Sequence, residues 1–302
     1  TMALAAGGKP LGTTAALQFV IDYSGNWSQK LSLILGVLTF GAVLAGYILL
    51  AGRKKAPLAA VVLAGGLLLG GAFSILTPPL VAPDEYTHLA NCYQKASGLL
   101  GQPVFEEYDG DLFLAVRECD APYFSDKTGD IGIFAYKNWL SGLAQTGGGT
   151  ATVRSAVPYN SGLLNTSLYL GQIAGIALAR ALGLGFYAML LLGRLGNLLL
   201  YLLFAALAVH LAPRAARGVF ACAALLPMAL QLAGSLSADA MVLGLVFNYT
   251  ALCMALRRRK ARPADITWLV LLAMYIGPAK AIYLPVVLLV LLCYRMADVL
   301  IG

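Results

Sequence analysis

The chain has 302 residues, of which 60% are hydrophobic and only 12% charged. A soluble domain carries roughly 25% charged residues, so this composition excludes an ordinary water-facing enzyme. The net charge of +7 is unevenly placed: residues 78–185 hold ten of the fourteen acids and six bases, a local balance of −4, so the remainder sums to +11. Basic excess is also a footprint of nucleic-acid binding. Here, however, the bases sit in short clusters between apolar blocks, and no Walker motif, Gly-x-Gly-x-x-Gly fingerprint or nucleic-acid module occurs. The expected partner is therefore a lipid bilayer and not a nucleic acid.

In chain order, residues 1–30 read as an external N-terminal segment, a remnant of a larger region, with a strand-like run at Leu17–Asp22. Residues 31–302 read as a transmembrane domain. Its apolar blocks are 31–51, 57–76, 163–183, 186–212, 218–234, 239–256, 266–277 and 281–297. Between them lie Arg53-Lys54-Lys55, then Arg214 and Arg217, then Arg257 to Arg262, and finally Arg295. Short Lys/Arg-rich loops face the cytoplasm. If every block crossed, the Arg53 and Arg257 clusters would face opposite sides. Block 163–183 is interrupted by Asn165, Thr166, Ser167, Gln172 and Arg180, a pattern that suits an interfacial helix. Taking it out of the membrane brings all the clusters to one side. The expected fold is an all-α polytopic membrane protein of about seven transmembrane helices, with a large external loop, 78–185, containing interfacial helices.

That topology brings Thr77–His88, Ser235–Asp239 and Tyr275–Tyr283 to one outer face, with a break expected at Gly277-Pro278. The sharpest local feature is Thr77-Pro78-Pro79-Leu80-Val81-Ala82-Pro83-Asp84-Glu85-Tyr86-Thr87-His88. The prolines end the preceding helix and hold an extended exit, and a new helix is expected to open at Asp84 as a carboxylate cap. Asp84 and His88 then share a face, with Glu85 alongside. The set reads as capping groups, as a general base with orienting partners, or as ligands of a divalent metal. Arg194 lies about 12 Å down block 186–212 at 1.5 Å per residue. An intramembrane Arg marks an anion site or pathway, here a lipid-linked phosphate or an internal salt bridge with Asp239. Asn197 reads as an interhelical hydrogen-bond donor or substrate contact. Ser235, Ser237 and Asp239 read as caps or substrate contacts, and Lys280 with Tyr283 as phosphate contacts or interfacial anchors. Cys92 and Cys119 share the external loop, where a disulfide is chemically permitted.

The run from Pro78 to His88 resembles the PPF-x-x-PDE-x-x-H signature of a bacterial family of uncharacterised polytopic membrane proteins, grouped with the GT-C superfamily of glycosyltransferases. Tyr169-Leu170-Gly171-Gln172, Gly193-Arg194-Leu195-Gly196-Asn197, Leu226-Pro227-Met228, Ser235 to Ala240 and Lys280 to Pro285 fit it in the same order. The chain departs from the pattern at the front, with an extra span at 31–51, and at the back, where further helices would follow. The resemblance implies a GT-C-like helical core in the bacterial plasma membrane, its active site facing outside. It implies an inverting transferase that moves a sugar from a polyprenyl-phosphate donor to a glycan or cell-envelope acceptor hydroxyl. Asp84 or Glu85 would be the base, His88 would assist, Arg194, Lys280 and Tyr283 would meet the donor phosphate, and Asn197, Ser237 and Asp239 would contact substrate. No cofactor is required, with a divalent metal left open. The rival expectations are a lipid or glycan transporter or flippase, and a non-catalytic assembly partner.

Overall fold

The computed structural model describes residues 5–6, 9–10, 57–108, 111–124, 142–154, 163–279 and 281–292. The strand-like run at 17–22, the first apolar block, the Arg53 cluster, Lys280, Cys293 and Arg295 lie outside the described residues. Near the start, β1 (Ala5–Ala6) pairs antiparallel with β2 (Lys9–Pro10).

Helix α1 spans Leu58–Leu76 and stops where Pro78 and Pro79 supply no N–H to continue it. Helix α2 (Glu85–Leu99) follows the Pro-rich turn. After it come β3 (Phe105–Tyr108), β4 (Asp111–Val116) and β5 (Ala151–Arg154), an antiparallel sheet in which Glu106 pairs with Phe113 and Leu114 with Val153. This sheet corrects the all-α expectation. Its short strands lack the strict alternation that would announce them in sequence.

Block 163–183 forms two helices, α3 (Leu163–Leu168) and α4 (Leu170–Ala181), broken at Tyr169. At twelve residues α4 is ~18 Å long, well short of a bilayer core of ~30 Å. Helix α5 (Phe186–Leu211) is the longest of the described elements. Block 218–234 is also divided, into α6 (Arg217–Ala224) and α7 (Pro227–Ala233), because Pro227 is suited to a first helical turn and not to a helix interior. Helix α8 is Asp239–Leu256. Helix α9 runs Pro263–Ala279, so the break expected at Gly277-Pro278 is corrected: the helix continues through Pro278, which leaves the carbonyl of Met274 without its i→i−4 donor, and ends one residue later. A 3₁₀ turn at Ala281–Tyr283, the short α10 (Leu284–Val287) and a 3₁₀ run at Leu288–Leu292 follow.

Among the described residues, three helices are long and apolar enough to cross a membrane: α1, α5 and α8. The protein is thus a mostly helical membrane protein. Two apolar cores hold it together, one joining α2, α4, α8, α9 and the sheet, the other α1, α5, α6 and α7. The closest helix contact is between α4 and α5. A Cβ on Gly175 would lie 2.1 Å from the Leu192 carbonyl oxygen, and one on Gly171 would lie 2.4 Å from that of Gly196. Small residues permit this approach, a common way of packing helices in lipid. At the opposite end of the bundle, Pro213, Ala215, Arg257 and Arg258 line a common hollow, so two of the basic clusters share one end.

Cys92 and Cys119 are both free thiols. Cys92 is enclosed by the core, and burial pushes its thiol far above its ordinary range, leaving it inert.

Candidate active site

Where α1 ends and α2 begins, the orphaned carbonyls of one helix meet the first acid of the next. Arg194 of α5 links them. Its guanidinium has five N–H donors, and the fold engages each. Nε donates to Glu85 Oε1 at 2.8 Å and Nη2 to Glu85 Oε2 at 2.6 Å. Nη1 donates to the carbonyls of Ser74 (2.9 Å) and Thr77 (2.7 Å), and Nη2 also reaches Pro78 O at 3.0 Å. Pro78 has no N–H for Ser74 O, the bond that would have continued α1. Arg194 fills that gap from the neighbouring helix. Both Arg194 and Glu85 are at most 1% exposed, so the pair is an internal bridge. Its acid is Glu85, and not the Asp239 weighed from sequence.

The turn carrying this bridge is strained. Leu80 has φ 61° and Asp84 φ 55°, both in the left-handed region. Such residues cost about 1–3 kcal/mol each and concentrate at functional sites. Asp84 occupies the N-cap position of α2, but its side chain makes no capping bond. The expected carboxylate cap is therefore corrected: the left-handed backbone turns the carboxylate out, and Asp84 is exposed.

On α2, His88 is half-buried, and its Nδ1 lies 2.7 Å from the Tyr169 hydroxyl at the α3–α4 break. Burial, reinforced by the charge of Asp239, raises the Tyr169 phenol above its ordinary value and keeps it protonated. Lys95 stands 5.7 Å from the same ring and is buried with no hydrogen-bond partner for Nζ. Burial lowers its pKa. His88, Cys92 and Lys95 follow i, i+4, i+7 spacing, one stripe of α2.

Three side chains pin the turn before α8. Asn197 Nδ2 donates to the carbonyls of Leu232 (3.3 Å), Ser235 (2.8 Å) and Ser237 (3.0 Å). Gln172 Nε2 donates to those of Leu236 and Ser237, and Leu236 N donates to Glu85 Oε1 at 3.3 Å. Ser237 Oγ accepts from Asp239 N at 3.2 Å, but the N-cap of α8 is Ala238, with no side-chain capping bond, so the capping position weighed for Ser237 or Asp239 is corrected. The Gly171–Gly196 approach allows Gln172 and Asn197 to serve one turn from two helices.

Beside this platform runs a groove of about 310 Å³, lined by Ser167, Leu170, Phe204, Met241, Trp268 and Tyr275 among others. Leu170 adjoins Tyr169, and Met241 is two residues beyond Asp239. The groove is almost wholly apolar and the platform polar, an arrangement suited to a ligand with a lipid tail and a charged head.

The structure thus unites Glu85 with Arg194, His88 with Tyr169, and Asn197 with the Ser237 turn. It does not gather Asp84, Glu85 and His88 into one cluster, since Glu85 faces Arg194 while His88 faces Tyr169. Among the described residues no three His, Cys, Asp or Glu side chains are grouped to hold a metal. Tyr283 is half-buried against the larger core. Sequence reasoning passed over Lys95, Tyr169 and Gln172 as site residues. The α2 stripe was the available signal for Lys95, and the Tyr-Leu-Gly-Gln run for the other two.

No curated protein and no solved structure matches the chain. A family model does match, over residues 67–299, which takes in the Pro-Asp-Glu turn, Arg194 and the α8 turn, and so the chain belongs to the family described as Predicted membrane protein (DUF2142).

Proposed function

We propose that this protein is an inverting glycosyltransferase of GT-C type, with about seven membrane spans, acting at the outer face of the bacterial plasma membrane on a polyprenyl-phosphate sugar. One observation carries the reading: an exposed carboxylate, Asp84, is held in a strained turn one helical turn before His88, which meets Tyr169 next to an apolar groove, with the buried Lys95 over the Tyr169 ring further along α2. In this mechanism the groove receives the polyprenyl chain. Asp84 takes the proton of an acceptor hydroxyl, whose oxygen attacks the anomeric carbon from the face opposite the phosphate. The bond from that carbon to the phosphate oxygen breaks, and lipid phosphate leaves with the electron pair. His88, oriented by Tyr169, and Asp239 position the acceptor. A phosphate leaving group needs no proton if cations meet its charge.

Arg194 is not that cation, because all five of its N–H groups are engaged within the protein. The role passes to Lys95, whose ammonium has no hydrogen-bond partner among the described residues, and to Lys280 with Tyr283. Glu85 and Arg194 then act as the frame that aims Asp84. The same bonding weakens the flippase reading, in which Arg194 and Lys280 together line a path, by removing Arg194 from it.

The test is sugar transfer by the purified protein with a polyprenyl-phosphate donor. Asp84→Asn should lower kcat by at least roughly 100-fold, the usual worth of a positioned base. Lys95→Met should cost a similar factor while leaving acceptor KM in place. Wild-type turnover by folded Asp84→Asn would remove the assigned base.

A further inference from the structure

A second polar cavity lies where the sheet meets the far ends of α2 and α4. Its volume is about 140 Å³, and Gln102, Glu106, Arg117, Gly149, Thr150 and Arg180 are among the residues lining it. Arg117 and Arg180 are each 8% exposed. Arg180 stacks on the Tyr93 ring at 3.9 Å and donates through Nη1 to Tyr93 O (3.2 Å) and Ser97 Oγ (2.8 Å), and through Nη2 to Gln102 Oε1. Arg117 donates through Nε and Nη2 to Asp120 at 2.7 and 3.1 Å. Two donors remain: Nη1 of Arg117 and Nε of Arg180 are buried with no hydrogen-bond partner among the described residues.

The charges leave the same remainder. Asp120 answers one guanidinium, itself held by the Tyr93 hydroxyl at 2.8 Å. Among the described residues the second guanidinium has no paired carboxylate, and Arg117 adds to the burial that lowers the pKa of Arg180. Glu106 also lines the cavity, but it is half-exposed, and its Oε2 accepts from Tyr108 OH at 2.8 Å. Two buried arginines, each with a spare N–H and together carrying one uncompensated charge, form a ready receptor for a planar or tetrahedral oxyanion. The volume fits one such group and is below the ~300 Å³ at which pockets for drug-sized ligands begin.

We propose that the cavity between Arg117 and Arg180 binds a compact oxyanion, the carboxylate or phosphate of an acidic saccharide or a free phosphate ion. It is separate from the Pro-Asp-Glu turn. Tyr93 and Ser97 stand eight and twelve residues beyond Glu85 on α2, or ~12–18 Å along the helix.

The test uses the full chain in lipid nanodiscs, titrated separately with inorganic phosphate and with glucuronate while thermal unfolding is followed. Saturable stabilisation by phosphate alone identifies a phosphate site, and by glucuronate a uronate site. With whichever probe binds, Arg180→Gln should raise Kd at least tenfold. Glu106→Gln removes the opposing carboxylate and should lower Kd several-fold, a gain that misfolding cannot imitate. No saturable stabilisation by either probe, or the absence of either variant's shift, overturns the proposal. Asp84 and Lys95 are untouched in both variants, so the result is independent of the transfer reading.

Discussion

Arg194 is costly to place within a membrane helix, and its surroundings answer that cost by giving it one bidentate carboxylate and three carbonyls. A buried pair of this kind is intolerant of losing one member, because the survivor keeps its desolvation penalty. Glu85→Ala should therefore destabilise the fold by about 3–5 kcal/mol, read by thermal unfolding in detergent. The double variant Glu85→Leu with Arg194→Met should recover part of that loss. If Glu85→Ala melts like the wild type, the bridge is not structural. An importance for both residues was legible in the sequence, from their chemistry and depth. Their partnership was not, since they are 109 positions apart and only the α1–α2 turn brings them together. Read from the sequence, Arg194 has Asp239 as its candidate partner, an acid at the same outer face. Asp84 and Glu85, adjacent in the chain, are near equivalents by sequence. One backbone angle separates them, turning Asp84 to solvent and leaving Glu85 at the guanidinium.

At the scale of elements, the run from Thr77 to His88 behaves as a unit. Its prolines strip α1 of the N–H groups that would close its last turn, and the freed Ser74 carbonyl becomes a ligand for Arg194. The α4–α5 pair is a second unit, and its geometry depends on glycine. Gly175→Val would drive a branched side chain onto the Leu192 backbone, which a flexible neighbour cannot relieve. The expected cost is roughly 2–3 kcal/mol, at the upper end for overpacking, with Gln172 and Asn197 losing their shared hold on the α8 turn. Retention of full stability by Gly175→Val would show that the helices can separate without penalty. Most helix positions were readable from apolar blocks and prolines. The split at Tyr169, the split at Pro227 and the external sheet were not. Breaks of one or two residues leave the apolar content of a block almost unchanged. Strands of four to six residues give too few alternations to count.

For the molecule as a whole, α5 and α8 end at the same pole, which brings Arg257 and Arg258 beside the Pro213 turn. The Pro-Asp-Glu turn, the sheet and the cavity of Arg117 and Arg180 sit towards the other pole. Under the positive-inside rule the first pole is cytoplasmic. A cysteine introduced by Arg258→Cys, in a background with the native cysteines replaced, should react with a membrane-impermeant maleimide only from the cytoplasmic side. One introduced by Glu107→Cys should react only from outside. Labelling of both from one side would invert or abolish the topology.

The sequence alone determined that the chain lives in a membrane, because 12% charge cannot dress a water-facing surface. It determined which end is basic, where most helices lie, and that chemistry gathers around Pro78 to His88 and Arg194, since composition and local pattern are written in consecutive residues. Only the tertiary structure decided which carboxylate is exposed and which is bound, that Tyr169 meets both His88 and Lys95, and that Arg117 and Arg180 meet around one cavity. Those facts depend on side chains tens of residues apart reaching the same few ångströms, and no local periodicity encodes that encounter.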